Sequence, residues 1–168
     1  MKDKELFKQV EKSMQKRALR AVIPQKVSPY IEQAVLAREK SAKETGTLYS
    51  YVCEKMKRQS RFTKKNGKLD ESGFYIYARI DKTTWSNMRW NLRTPSKETL
   101  LKLVFALKLD EEEAKELLKR GSNSLNEQDP RDRVVLALID VRCYEIESVY
   151  EVLEEYGNNG AEPFKNIY

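Results

Sequence analysis

Residues 80–109, IDKTTWSNMRWNLRTPSKETLLKLVFALKL, constrain the fold more than any other part of the chain. They read as a short helix, a tight turn and a longer apolar helix. Trp85 and Met88 lie three residues apart and supply the short helix with an apolar stripe. Lys82, Thr83, Ser86, Asn87 and Arg89 fall outside that stripe. A turn is predicted over 91–94, and Pro95 and Ser96 open the longer helix. Ser96 is its cap, and Glu98 sits near its positive end. A chain patterned in this way buries one side of a short helix and holds the polar side out towards a groove.

The surrounding sequence is patterned for further helices. Leu6, Phe7, Val10, Met14, Ala18 and Leu19 predict an amphipathic helix over 3–22. Its other side carries Lys8, Lys12, Lys16, Arg17 and Arg20, a basic face open to three readings: a solvated surface, a DNA arm or a dimerisation helix. Pro24 and Pro29 break the pattern over 23–29. A helix is then expected from Tyr30 to about residue 43, ended by Gly46. Thr47 caps a helix holding Leu48, Tyr51, Val52 and Met56.

Lys64, Lys65, Asn66, Gly67 and Lys68 form a basic turn, flanked by too few alternating apolar residues for more than a short ribbon. Asp70 or Ser72 caps a helix with Phe74, Tyr75 and Tyr77, and Asp81 or Thr83 starts the next, which ends at Asn91. Asp110 caps a helix with acids first and bases last, stopped by Gly121. Residues 122–128 form a polar loop. Asp129 and Pro130 start a helix running to 141. A last helix over 145–156 carries Ile146, Val149, Tyr150 and Leu153, and 157–168 read as a loose tail. Without an internal repeat or a convincing strand, the expected class is all-α.

Charge is unevenly spread along the 168 residues. Residues 1–69 hold 18 Lys and Arg against 7 Asp and Glu, whereas 101–168 hold 9 against 15, within an overall net charge of +6. A basic front and an acidic back allow a positive face to meet a polyanion while the other face repels it. The longest apolar run, 134–139, is far short of the roughly 18 residues that span a membrane. The charged beginning has no apolar signal core, so a cytoplasmic protein without membrane attachment is expected. The absence of histidine excludes imidazole acid–base chemistry and imidazole metal ligands. Cys53 and Cys143 are expected as two buried free thiols rather than a disulfide. No Gly-rich phosphate loop, nucleophile elbow or paired-carboxylate motif is found. The expectation is therefore a non-enzyme without cofactor or metal. The acidic run 110–113 is a helix start.

The spacing of Ile80, Trp85, Met88 and Pro95, with TPSKETLLKLVFALKL after it, resembles the lambda-repressor-like, Cro-type (XRE) helix-turn-helix family. The likeness covers about residues 47–121, with 110–121 resembling the fifth family helix. Two further helices follow, as in a bacterial branch of that family. Asn91 stands where the family usually has glycine, Tyr75 where it packs alanine, and Glu71 where a glutamine contacts phosphate. The 64–72 segment lengthens the connection before the second family helix.

The resemblance implies a five-helix domain over 46–121, with a basic helical arm over 1–45 and C-terminal helices and tail over 122–168. It further implies a transcriptional regulator that reads double-stranded DNA, as a homodimer, with the helix over about 82–91 in the major groove. Lys82, Thr83, Ser86 and Asn87 are then the base-edge candidates. Arg58, Lys64, Lys65, Lys68, Thr84, Arg89 and Arg93 are the phosphate candidates, with Lys55 beside them. Neutralising ~4 phosphates would give a salt slope of about −3.6. Trp85 is expected in the core. Trp90 is expected in the core or against a partner, and Tyr75 and Tyr77 in packing. Two other functions remain open. One is an adaptor or antitoxin-like protein that binds a protein partner through its C-terminal helices. The other is an RNA or single-strand binder that stacks bases on Tyr49, Tyr51, Tyr75 and Tyr77.

Overall fold

A computed structural model describes residues 4–21 and 47–158, and these residues form eight α-helices and no strand. They are α1 (Lys4–Ala21), α2 (Leu48–Met56), α3 (Glu71–Tyr77), α4 (Lys82–Arg89), α5 (Lys97–Ala106), α6 (Glu111–Arg120), α7 (Pro130–Asp140) and α8 (Ile146–Asn158). A 3-10 turn, Ser60–Phe62, lies between α2 and α3. The all-helical class is as expected. The expected helix over 30–43, the break before it and most of the expected tail lie outside the described residues.

Helix starts follow the sequence closely because caps act locally. Thr47, Asp70, Asp81, Ser96, Asp110 and Asp129 each accept a backbone N–H at the start of α2 to α7 respectively. Asp110 and Glu113 close a reciprocal capping box on α6. Pro130 occupies the first turn of α7, where its missing N–H removes no helical bond.

Helix ends fall close to their expected positions, but most are closed by a residue other than the one expected. Arg79, Asn91, Lys108, Ser122 and Arg142 all have φ between 54° and 57°. At each, the following residue's N–H bonds a carbonyl five positions back, as in Leu92 to Asn87 and Leu109 to Val104. Asn91 therefore adopts the left-handed terminus its residue type favours. Gly121 does not: its φ is −88°, and Ser122 takes the left-handed position. The reason for glycine at 121 is space, since a Cβ there would lie 2.5 Å from Leu100 Cδ1.

One apolar cluster runs through the described helices, from Val10 of α1 through Phe74, Trp85, Leu103 and Leu117 to Leu138 and Leu153. Within it, α2 packs on α4 and α6, α3 on α4, α5 on α6 and α8, and α7 on α6 and α8. α1 lies on α7, with Leu6, Phe7, Val10 and Met14 against the cluster. Residues 134–139 of α7 are buried all round, which explains their unbroken apolar run.

Arg17 overturns its assignment to the basic outer face of α1. It is 3% exposed and its guanidinium bonds Asp140 Oδ1 and Oδ2 at 2.6 Å, Glu111 Oε2 at 2.6 Å and Glu127 Oε1 at 3.0 Å. Ser13 also donates to Asp140, at 2.6 Å. Burial alone would lower the Arg17 pKa, but the bonds to Asp140 and Glu111 outweigh it and hold the group far above its ordinary value. Bonding from Arg17 depresses the Glu111 carboxyl to about 2. Part of the basic front is therefore neutralised by the acidic back inside the molecule. Lys8, Lys12 and Lys16 keep the exposed side of α1 positive.

Candidate nucleic-acid interface

α3 and α4 are joined by residues 78–81, with Ile80 N bonded to Tyr75 O at 2.8 Å and Arg79 left-handed. Lys102 fixes this bend from α5 by donating to Arg79 O at 3.0 Å. Burial lowers the Lys102 pKa. The Arg79 guanidinium lies 4.7 Å from the Tyr150 ring centre, so α8 also supports the bend.

Trp85 anchors α4. It is buried and packs against Phe74 (5.5 Å between ring centres), Tyr75 (5.9 Å) and Tyr49 (6.0 Å). Met88 is buried one turn along. Tyr75 thus fills the α3–α4 crossing with a ring that packs on the indole. Phe62 adds contacts to Phe74 at 4.9 Å and Tyr77 at 5.5 Å. Large aromatics at one crossing contribute through buried area and tilted ring geometry.

The opposite side of α4 carries the base-edge candidates. Lys82 and Thr83 are exposed on its first turn, and Ser86 and Asn87 are half-buried one turn on. All four lie on one helix, so the structure brings them together. Thr84 is used differently: its hydroxyl donates to Asp81 Oδ2 at 2.6 Å and its N–H to Asp81 Oδ1 at 2.8 Å. The Thr84 hydroxyl and backbone hold the Asp81 carboxyl below the usual carboxylate range. Thr84 serves the cap before it can serve a phosphate.

The remaining phosphate candidates fall into separate groups. Lys64, Lys65 and Lys68 are exposed on a ribbon closed by a Thr63–Leu69 bridge, with Lys64 N bonded to Lys68 O at 2.8 Å. Gly67 turns this ribbon at φ +79°, a conformation glycine adopts without steric cost. The ribbon leads into α3 through Asp70 N to Phe62 O, 2.8 Å. Arg93 is exposed just after α4.

Arg58 and Lys55 belong to the α2–α6 seam. Both donate to Glu113 Oε1, Lys55 at 3.1 Å, and Lys55 is buried. Lys55 cannot reach a polyanion without giving up this partner. Bonding by Glu113 raises the Arg58 pKa. Burial works against the Glu113 carboxylate, but Arg58 and Lys55 hold it low.

Sequence reasoning underrated Glu71, which proves to be the joint of the site. Its Oε1 accepts from the Tyr49 hydroxyl at 2.5 Å and the Trp85 indole N–H at 3.3 Å. Its Oε2 accepts from Arg89 Nη1 at 3.2 Å. One carboxylate therefore joins α2, α3 and α4. Burial and the bond to Glu71 push the Tyr49 hydroxyl far above its ordinary pKa. The three donors come from residues too far from Glu71 in sequence to be paired with it by spacing.

Trp90 is 65% exposed, with the Arg89 guanidinium 5.3 Å from its ring centre, and Leu92 is 74% exposed. Trp90 is thus not a core residue. Tyr49, Tyr51, Tyr75 and Tyr77 are all at least half-buried and packed on the core. Tyr51 also donates to Glu113 O at 3.2 Å, and burial pushes its hydroxyl up to about 12. Cys53 and Cys143 are free thiols, half-buried rather than buried as expected.

Among the described residues there is no cluster of metal-ligating side chains and no helix long and apolar enough to cross a membrane. In comparisons with known proteins, no family model, no curated protein and no solved structure matches the chain.

Proposed function

We propose that this protein is a DNA-binding transcriptional regulator whose α4 enters the major groove, acting as a homodimer on two half-sites. The observation that carries the reading is the two-sidedness of α4. Trp85 and Met88 are locked into the core while Lys82, Thr83, Ser86 and Asn87 line the outer side. A helix admitted to the major groove presents such groups to base edges: Lys82 to guanine O6 or N7, and Asn87 to adenine. Arg93 and the Lys64, Lys65 and Lys68 turn supply exposed cations for phosphates, which position the protein without reading sequence.

Binding of a labelled duplex across a salt series tests the proposal. The expected result is an affinity that falls steeply with salt and a clear loss for Lys82→Ala combined with Asn87→Ala. Two base-directed groups at ~1–3 kcal/mol each correspond to at least a tenfold effect on the preferred sequence. Undiminished binding by the double variant would remove α4 as the reader.

A protein-adaptor function is the second reading, and the exposed Ile76, Trp90 and Leu92 favour it. Recovery of one stoichiometric protein partner, with no duplex binding at low salt, would select it. The single-strand reading is weakened because its four tyrosines are engaged in packing.

A further inference from the structure

We propose that Glu71 is an internal rival of the DNA backbone: it holds Arg89 in an ion pair and so sets duplex affinity below what the α4 surface would otherwise support. The inference rests on the duplex-binding reading above and assigns a regulatory contact within that site.

The geometry supplies the reasons. Arg89 is on the last turn of α4, where a phosphate flanking the groove would meet it, and its Nη1 is 3.2 Å from Glu71 Oε2. The carboxylate cannot simply swing away. Its other oxygen is fixed by the Tyr49 hydroxyl and the Trp85 indole, and Trp85 is buried. Arg89 has a second hold, the face of Trp90. An approaching phosphate therefore meets a guanidinium whose charge is already matched, together with a fixed negative charge beside it. Arg93 differs, having no carboxylate partner among the described residues. Counterion release scales with the phosphates that a protein neutralises, so an internally paired arginine contributes little to affinity or to its salt dependence.

Glutamine at 71 keeps the side chain's size and an acceptor for Tyr49 and Trp85 while removing the charge. Binding of a mixed-sequence duplex of about 30 base pairs is measured over a salt series for five proteins. They are the wild type, Glu71→Gln, Arg89→Gln, the double variant and Glu112→Gln. Glu112 is exposed on α6, so its variant controls for net charge. Circular dichroism and thermal unfolding check that each is folded.

Glu71→Gln should bind about fivefold to tenfold tighter, with a salt slope steeper by about 0.9, the value of one added phosphate. The gain should be uniform across sequences, since a phosphate carries no base information. Arg89→Gln should bind more weakly than wild type because it leaves Glu71 unmatched. Adding Glu71→Gln to it should restore wild-type affinity, because the site is again neutral. This rescue also tests the idea if the single Glu71 variant folds poorly.

Equal affinity and slope for Glu71→Gln and wild type would overturn the proposal while leaving duplex binding intact. So would a gain matched by Glu112→Gln, or failure of the double variant to recover. If no protein in the series bound duplex at low salt, the duplex reading would fall and this inference with it.

Discussion

Arg17→Met gives a sharp test of how the N-terminal helix is held. Methionine keeps the apolar stem and removes the guanidinium, leaving Glu111, Glu127 and Asp140 facing one another. Breaking a buried ion pair by removing one partner costs ~3–5 kcal/mol. Here the three carboxylates are 30%, 38% and 34% exposed, so water takes over part of their solvation. The expected loss is ~2–3 kcal/mol after that discount.

The loss should also depend on pH. Glu111 is held at about 2 against an ordinary 4.5, first by its bond to Arg17. A carboxyl depressed on folding adds stability that is fully present above its unfolded pKa and disappears as pH falls through the folded one. The gap corresponds to ~3 kcal/mol, or ~2 kcal/mol once screening at a partly exposed group is allowed for. Lys115 also bonds Glu111, at 2.8 Å, so Arg17 accounts for only part of that stabilisation.

Urea unfolding followed by circular dichroism should place Arg17→Met ~2–3 kcal/mol below wild type at neutral pH. The difference should shrink steadily as pH falls from 4.5 towards about 2, the interval set by Glu111. Amide exchange should accelerate first in α1 and on the side of α7 beneath it. A neutral-pH difference within ~0.5 kcal/mol, the range of ordinary surface changes, would refute the reasoning. A difference that stayed constant down to the bottom of the acid range would do so too.

Three further outcomes follow from backbone and packing. Lys108→Gly should raise stability by ~0.5–1 kcal/mol, because Lys108 is exposed at φ 54° and glycine holds that conformation without strain; a loss in thermal unfolding would argue against a strained terminus. Gly121→Ala should cost ~1–3 kcal/mol through overlap with Leu100, and an unchanged midpoint would mean that α5 yields easily. Cys53 should alkylate more slowly than a free peptide thiol at neutral pH, since burial pushes its thiol up and it is half-buried; a rate equal to the peptide's would contradict the packing of α2.

Much of the helical framework is legible from the sequence, and the reason is range. A cap joins residues two or three positions apart, as Asp81 with Thr84 or Ser96 with Thr99. An apolar stripe such as Trp85 and Met88 needs only one turn of helix to be recognised. Those signals locate the starts of α2, α5, α6 and α7, narrow those of α3 and α4 to two candidate caps each, and assign Trp85 to the core and Lys82, Thr83, Ser86 and Asn87 to one outer side. Left-handed helix ends at Arg79, Lys108, Ser122 and Arg142 escaped notice because none is a glycine or asparagine; each is closed by a bond from the next residue's N–H to the carbonyl five positions back.

Tertiary structure alone decided which charges are available to a partner. Arg17 and Asp140 are 123 positions apart, Arg17 and Glu111 94, and Lys55 and Glu113 58. Composition records such residues as a basic front and an acidic back, whereas folding places opposite charges in contact and removes them from the outer field. Glu71 shows the same principle within the candidate site, where one carboxylate on α3 takes three donors from two other helices. Short-range chemistry is written along the chain and can be read there. Pairing across the fold depends on how the helices stack, and that stacking determines which cations of this protein face inward and which stay exposed.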